Sequence, residues 1–291
     1  MRIALATCSK LHSWETDDRP LFAALCALGA EPVAAVWDDP GVRWDQFDAC
    51  LIRTTWDYCA KHAAFIEWAA NVQNVTRLFN PADIVKWNLH KFYLRDLEAK
   101  GVDIIPTIWL QRGTNVNLAE IVAAQRWSAG FIKPAIGAAA RETHRFTADA
   151  GGLSIAQRHI DRLLAREDLL LQPYLRSVEC EGEWSAIFID GEFSHAVRKV
   201  PVPGDYRVQD DFGAHDEPTA LQPPQLEAAR RAVRAVDTHL LYARADFLQG
   251  DNGEIFLTEL ELVEPSLFFR HDHAAADRLA HALRRRIRRD D

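Results

Sequence analysis

The sequence predicts an α/β protein that opens on a small parallel sheet and closes on antiparallel hairpins, and three observations predict it. Apolar runs at residues 2–7, 32–37 and 49–52 alternate with a helical pattern, the β-α-β arrangement of a parallel sheet. Later strand-like runs instead come in pairs closed by turn residues, Asp190-Gly191 and Asp251-Asn252-Gly253. A chain of 291 residues, 48% hydrophobic, has room for two or three packed units.

The formal net charge of -8 argues against a general nucleic-acid binder but leaves a local phosphate pocket open. The five cysteines are odd in number, lack C-x-x-C spacing and sit mostly in apolar runs, as expected of reduced residues in a cytoplasmic protein. The first apolar run turns polar at Ser9-Lys10, too soon for a secretory signal, and no run approaches a membrane span. A soluble protein without membrane or nucleic-acid partners, monomeric or homodimeric, is the expectation.

In chain order, residues 2–7 form a strand, followed by a helix that Asp17 or Asp18 caps, with Pro20 early and Gly29 past its end. Strands follow at Pro32 to Trp37 and Ala49 to Ile52. No G-x-G-x-x-G follows the first strand, so a dinucleotide-binding reading lacks its phosphate-cradling turn. Ligands of parallel sheets collect beyond the carboxyl ends of strands, and the third strand ends in Arg53, Thr54, Thr55, Trp56 and Asp57, a candidate substrate cluster. A helix cap and core aromatics are the plain alternative. Residues 61–72 read as a helix, and Asn80-Pro81 marks a unit boundary.

Trp87 through Leu97 reads as one amphipathic helix stopped by Gly101, and Val102 to Thr107 as the turn into a strand. Phe131-Ile132-Lys133-Pro134 buries a lysine in an apolar strand, where it calls for an anion. Residues 135–143 are small and lie between two strands, the build of a flap closing over phosphates. Leu169 to Leu175 is a strand ending at Pro173, a hinge able to meet an adenine edge. Trp184 to Ile189 and Phe193 to Val200 pair across Asp190-Gly191. Val202 to Pro218 is a long loop of lid type, and Gln225 to Leu241 a helix.

The last hairpin carries the chemistry. Alternation points Glu259 and Glu261 one way and sends Leu260 and Leu262 to the core, while Arg244 and Asp246 share a face on the partner strand, opposite residues 257 to 260. Clustered half-buried carboxylates repel strongly and persist where a hard divalent cation, magnesium here, neutralises them. A merely wet acidic face is the alternative. The His271-Asp272-His273 triplet is expected on a helix whose adjacent residues do not share a face, against a transition-metal site. Arg284 to Arg289 read as the solvated end of the last helix.

Taken in order, Asn80-Pro81, Lys91, Gly101, Pro106-Thr107, Lys133-Pro134 with its flap, Gln172-Pro-Tyr-Leu, Glu183, Lys199, Arg207, Arg244-x-Asp246 and Glu259-x-Glu261 resemble the ATP-grasp superfamily of carboxylate-amine ligases over nearly the whole chain. The wording Arg-Thr-Thr-Trp-Asp-Tyr and Glu-Leu-Glu-Leu-Val-Glu-Pro-Ser is most similar to the subgroup containing the D-cycloserine-forming ligase. Glutathione synthetases and D-alanine-D-alanine ligases resemble it more distantly.

The resemblance implies an ATP-grasp fold: a pre-ATP-grasp, Rossmann-like substrate domain at 1–83, a small subdomain at 84–171 and a large one at 172–291, the last two clasping the nucleotide. It implies ATP and magnesium as cofactors, with two ions expected and manganese as a substitute. Lys91 and Lys133 would hold phosphates, and Gln172, Tyr174 and Leu175 would meet adenine. Glu183, or else Glu179, would take the ribose hydroxyls, with Lys199 facing the nucleotide. Asp246, Glu259 and Glu261 would ligate metal, Glu261 standing where many relatives have Asn. Arg244, with Arg207 from the lid, would stabilise an oxyanion. By position alone, Glu264, Ser266 and Arg270 lie just beyond the hairpin and could touch substrate, with a helix cap the equal alternative for Ser266. The partners would be a small carboxylate and an amine; a modifier adding amino acids to a protein carboxy terminus and a non-catalytic ATP sensor are the alternatives.

Overall fold

The computed structural model describes residues 1–11 and 16–289. Its strands form three sheets. The first is parallel, of order β2-β1-β3-β4, from β1 (Arg2–Thr7), β2 (Glu31–Val36), β3 (Ala49–Thr54) and β4 (Arg77–Phe79). The second is antiparallel, of order β5-β8-β6-β7, from β5 (Ile108–Leu110), β6 (Ala129–Pro134), β7 (His144–Thr147) and β8 (Leu169–Pro173). The third, also antiparallel, runs β11-β10-β9-β12-β13 from β9 (Glu183–Ile189), β10 (Glu192–Val200), β11 (His215–Thr219), β12 (Tyr242–Gln249) and β13 (Ile255–Glu261). The α/β expectation holds.

The helices are α1 (Arg19–Ala27), α2 (His62–Gln73), α3 (Ala82–Asn88), α4 (Tyr93–Ala99), α5 (Leu118–Gln125), α6 (Ala150–Leu164), α7 (Ser177–Cys180), α8 (Pro223–Arg234) and α9 (His273–Arg289). Where side chains are free to cap, they do: Asp149 accepts the Gly152 N–H at 2.9 Å at the start of α6. Asp17 and Asp18 do not cap α1, because their carboxylates are drawn into longer-range contacts described below.

Several boundaries differ from the sequence expectation. Trp87 to Leu97 is two helices, broken at residues 89–92. The lid segment ends in β11, which pairs with β10 so that Lys199 faces Asp216. Helix α8 stops at Arg234, and α9 begins only at His273, so His271 precedes it. His271 and Arg270 both bind Asp216. The arginine-rich end of α9 is more than a solvated face, since Asp190 accepts Arg285 Nη2 at 2.9 Å and Arg286 Nε at 2.8 Å.

The cores show which segments belong together. Ile84, Tyr93, Leu94, Leu97, Val102 and Ile104 share a core with the third sheet through Leu257, Leu260 and Leu262, a core that Leu170 of β8 also joins. The cause is an edge. Strand β13 would leave its outer backbone groups unpaired, a cost that folded proteins avoid by covering or pairing edges. Here the Leu257 N–H reaches Asp103 O at 2.9 Å, and side chains of the 80–93 segment meet the backbone groups of Leu260 and Leu262. Helices α1 and α9 pack together over a core that joins Ile3 and Leu5 to Ile187, Leu241 and Leu283, fixing the first sheet to the third.

At the seam, the Tyr242 hydroxyl lies 3.0 Å from Ile52 O and 2.9 Å from Val263 O. Asn80 donates to Tyr242 O at 2.9 Å and Leu262 O at 2.8 Å, and accepts the Leu241 N–H at 2.8 Å. Among the described residues no helix is long and apolar enough to cross a membrane.

Candidate active site

A cleft of about 1740 Å³ is lined by the second and third sheets and by loops that follow the strands of the first, with Lys133 on β6, Glu183 on β9, Lys199 on β10, Arg244 on β12 and Glu259 on β13. At its base β12 and β13 pair so that Arg244 stands opposite Glu261 and Asp246 opposite Glu259. Strand alternation therefore collects all four on one face, with Leu260 buried on the other. A register shift after Asp246 sets this pairing, slightly beyond the expected 257 to 260.

Each acid has a named cation. Asp246 accepts from the Ser185 hydroxyl at 2.6 Å, Arg244 Nη2 at 2.9 Å and Lys199 Nζ at 3.0 Å. Glu261 accepts Arg244 Nη2 at 2.5 Å, and Glu259 accepts Lys91 Nζ. Lys199 also pairs with Glu183, which takes the Thr258 hydroxyl at 3.0 Å. Burial raises the Asp246 carboxyl, but Arg244 and Lys199 outweigh it and hold the group well below the usual range. Burial, offset in part by Arg244 and reinforced by Asp246 and Glu259, pushes Glu261 up to about 8. Burial lowers Arg244, yet Asp246 and Glu261 raise it overall, so it stays charged.

Lys91 comes from the break between α3 and α4. Asn88 donates to Leu260 O at 2.7 Å and accepts the Leu262 N–H at 2.9 Å, and the Tyr93 hydroxyl accepts the Leu260 N–H at 2.8 Å. These side chains complete the edge of β13 and place Lys91 against Glu259. The Lys91 N–H meets Ala135 O at 2.8 Å and its ammonium Gly137 O at 3.0 Å, reaching the flap.

Lys133 differs from the other lysines. Its ammonium donates to Thr258 O at 3.2 Å, and among the described residues it has no ion-pair partner. Burial lowers its pKa to about 8 despite nearby Glu259. It is a buried cation waiting for an anion.

The flap runs between β6 and β7, with Ala139, Ala140 and Glu142 at φ of 49°, 53° and 55°. L-residues adopt this region at a cost, and the flap holds it by pairing Arg141 with Glu167 and Glu142 with Arg162. Thr143 Oγ1 lies 3.2 Å from the Tyr206 hydroxyl, so the lid segment meets the flap. At the hinge the Tyr174 N–H is committed to Ala129 O at 3.1 Å, while the Leu175 N–H has no acceptor among the described residues. The Gln172 side chain donates to Thr107 at 2.8 Å.

The structure moves several expected residues out of the site. Arg53 is 2% exposed, its Nη2 held by Asp18 at 2.8 Å and by Pro265 O at 3.1 Å, so it is a buried structural cation rather than a substrate contact. Thr54 pairs with Thr7 at 2.7 Å, and Thr55 is fully buried. Trp56 and Asp57 do line the cleft, although Asp57 also accepts Trp37 Nε1 at 2.8 Å. Glu179 does not line it, being bound to the Tyr174 hydroxyl at 2.5 Å and Arg145 at 2.6 Å. Arg207 lines the cleft but is held by Asp205 at 2.6 Å and stacked 3.9 Å above Phe212. Ser266 donates to Asp17 at 2.8 Å and lends its carbonyl to Arg244 Nη1 at 3.2 Å.

The acids fit a hard divalent cation in chemistry. Glu259 and Glu261 offer carboxylate oxygens to the cleft, whereas Asp246, 2% exposed, lies beneath it with its oxygens taken by donors. With Lys91 and Arg244 interposed, no group of three His, Cys, Asp or Glu among the described residues converges on one point, at the hairpin or at His271 to His273. Sequence reasoning missed the roles of Asn88 and Tyr93 at the edge of β13. The alternation that finds strands carries no signal for such contacts.

Residues 3–80 match the family model described as the N-terminal domain of the D-cycloserine synthetase DcsG. The cycloserine biosynthesis protein DcsG of Streptomyces lavendulae is 33% identical, covering 98% of this chain and 99% of its own. The crystal structure of D-cycloserine synthetase DcsG superposes with a TM-score of 0.89 at 31% identity, covering 99% of this chain and 100% of that one. The D-alanine-D-alanine ligase of Bacillus anthracis complexed with ATP shares the fold at 14% identity and a TM-score of 0.69, covering 99% and 98%. The ATP-grasp ligase PsnB, with minimal precursor, Mg and ADP, shares it at 17% and 0.63, covering 98% of each. With 33% identity across 98% of its length, the chain belongs to the D-cycloserine synthetase DcsG family of ATP-grasp ligases, ATP-dependent enzymes that form carbon-nitrogen bonds.

Proposed function

We propose that this protein uses ATP and magnesium to activate a small carboxylate and join it to an amine, with both groups on one molecule in a ring closure of the D-cycloserine type. The observation that carries the reading is the single hairpin face bearing Arg244, Asp246, Glu259 and Glu261 beneath a cleft that also holds Lys91, Lys133 and Lys199. Bound there with magnesium, ATP would supply the phosphoryl group that converts the acid into an acylphosphate.

The chain's own residues divide the remaining work. Lys133 and Lys91 neutralise phosphate charge, Lys133 exchanging a carbonyl contact for an anion. The Leu175 N–H and the hinge backbone meet the base, and Glu183, beside Lys199, takes ribose. Glu259 and Glu261 hold metal, with Asp246 beneath them joining in once Lys199 yields its place on it, and two ions fit this count of carboxylates. Arg244, kept charged and aimed by Asp246, stabilises the oxyanion formed when the amine attacks the acyl carbon. A nucleotide sensor would have no use for that arginine.

Purified protein supplied with ATP, magnesium and a panel of amino acids and amines is expected to release ADP, and chelation of magnesium to stop it. Failure of every acid and amine to raise ADP above background would remove the ligase reading.

A further inference from the structure

Arg270 lines the cleft from the segment between β13 and α9, and its guanidinium gathers carboxylates from two distant parts of the chain. Asp17, in the turn that leads into α1, meets Nη1 at 3.2 Å. Asp216, on β11 where the lid ends, accepts Nε at 3.2 Å and Nη2 as well, and Asp210, within the lid, lies 3.4 Å from Nη2. Among the described residues no other Lys or Arg pairs with any of the three, although His271 also faces Asp216.

Two of these acids belong to the lid and one to the body beneath it. The Asp17 and Asp216 side chains are only 5% and 6% exposed, so their charges are poorly screened and repel across the seam. With the guanidinium between them the repulsion becomes attraction. The lid is fastened at this end by one arginine, while nearer its start the Tyr206 hydroxyl meets Thr143 of the flap.

The same anchor reaches Arg244. Asp17 also accepts the Ser266 hydroxyl and the Phe268 N–H, both at 2.8 Å, and Ser266 lends its carbonyl to Arg244 Nη1 at 3.2 Å. Both guanidiniums lie over the Phe268 ring, Arg244 at 5.5 Å and Arg270 at 5.0 Å from its centroid. Phe268 holds a φ of 51°, a region that L-residues enter at a cost, and these contacts keep it there.

Resting on the ligase reading, we propose that Arg270 is a positioning residue that clasps the lid to the segment aiming Arg244, so that the cleft is shut whenever Arg244 is in place. A seated lid keeps water from the acylphosphate. With the clasp open, water attacks the acyl carbon, the bond from that carbon to the phosphate oxygen breaks, and carboxylate, phosphate and a proton are released without an amide.

The first readout needs no substrate. Hydrogen–deuterium exchange at residues 202–214 is measured in wild type, Asp216→Asn and Arg270→Lys, in the free protein and with ADP and magnesium. Asp216→Asn leaves the pair of Asp17 with Arg270 in the body, and Arg270→Lys keeps the charge without the fork that spans several carboxylates. Both variants are expected to exchange about tenfold or more faster than wild type in the lid, the worth of one charge-assisted hydrogen bond, with β13 and α9 unchanged. The second readout is the ratio of amide to phosphate on the acid and amine panel. Wild type is expected to form about one amide per phosphate and the variants about half that or less, at an unchanged KM for ATP. A lid that exchanges as slowly in both variants as in wild type, or variants that lose amide and phosphate in equal proportion, overturns the assignment. Wild type that releases no ADP on the panel removes the ligase reading, and the clasp is then judged by exchange alone.

Discussion

Asn88 brackets Glu261: its side chain donates to the carbonyl of Leu260 and accepts the N–H of Leu262, the two neighbours of that acid on the sheet edge. The edge of the site is thus held by a residue whose side-chain bonds go to the backbone on either side of that acid. Asn88→Ala would strand both backbone groups where water reaches poorly, at a cost of about 1–3 kcal/mol. Thermal melting should show that loss, and ADP release should fall further than the lost folded fraction explains, because Lys91 and Glu261 both lose their register.

Arg244→Met separates binding from chemistry. Asp246 keeps Lys199 and Ser185 as partners in this variant, so the hairpin survives. ATP affinity by calorimetry should stay near wild type while turnover falls about 100-fold or more, the usual loss on removing an oxyanion donor. Equal losses of affinity and turnover would instead make Arg244 a structural residue.

Lys133→Met should act in the opposite sense. A buried ammonium without an ion-pair partner costs stability in the free protein, so its removal should leave the melting temperature unchanged or raise it. Its phosphate contact is lost, and the KM for ATP should rise about tenfold or more. Arg53→Met gives the contrast. It leaves Asp18 buried without its cation, and should destabilise by about 3–5 kcal/mol with no change in the KM of the protein that remains folded.

Acid sensitivity should trace in part to His195. Its Nε2 lies 3.0 Å from Leu267 O and its Nδ1 2.9 Å from Ser194 Oγ, and burial, only partly offset by Asp272, lowers its pKa below 6.5. The unfolded chain therefore takes up this proton at higher pH than the folded one. Stability is full above the unfolded value and is lost as pH falls through the folded one. Melting temperatures between about pH 8 and pH 5 should fall less steeply in His195→Gln than in wild type.

The hairpin was legible because strand alternation and an Asn-Gly turn are local signals, and these alone place Glu259, Glu261, Arg244 and Asp246 on one face. Lys133 was legible for the same reason, as a charge inside an apolar strand. Arg53 was misread because what neutralises it, Asp18, is brought near by the fold and not by spacing, and a buried ion pair and a substrate contact look alike in sequence. The break between α3 and α4 has no Gly or Pro to announce it. It forms because tertiary contacts from Asn88, Tyr93 and Lys91 to the edge of β13 outweigh one more helical turn.

The central claim is that the hairpin face brings a phosphoryl donor to a substrate carboxylate. Its most direct test labels the carboxylate oxygens of an amino acid that supports ADP release with heavy oxygen and analyses the released phosphate by mass spectrometry. Transfer of one labelled oxygen to phosphate for each amide formed is the predicted result. Amide formation with phosphate that carries no label would contradict the account.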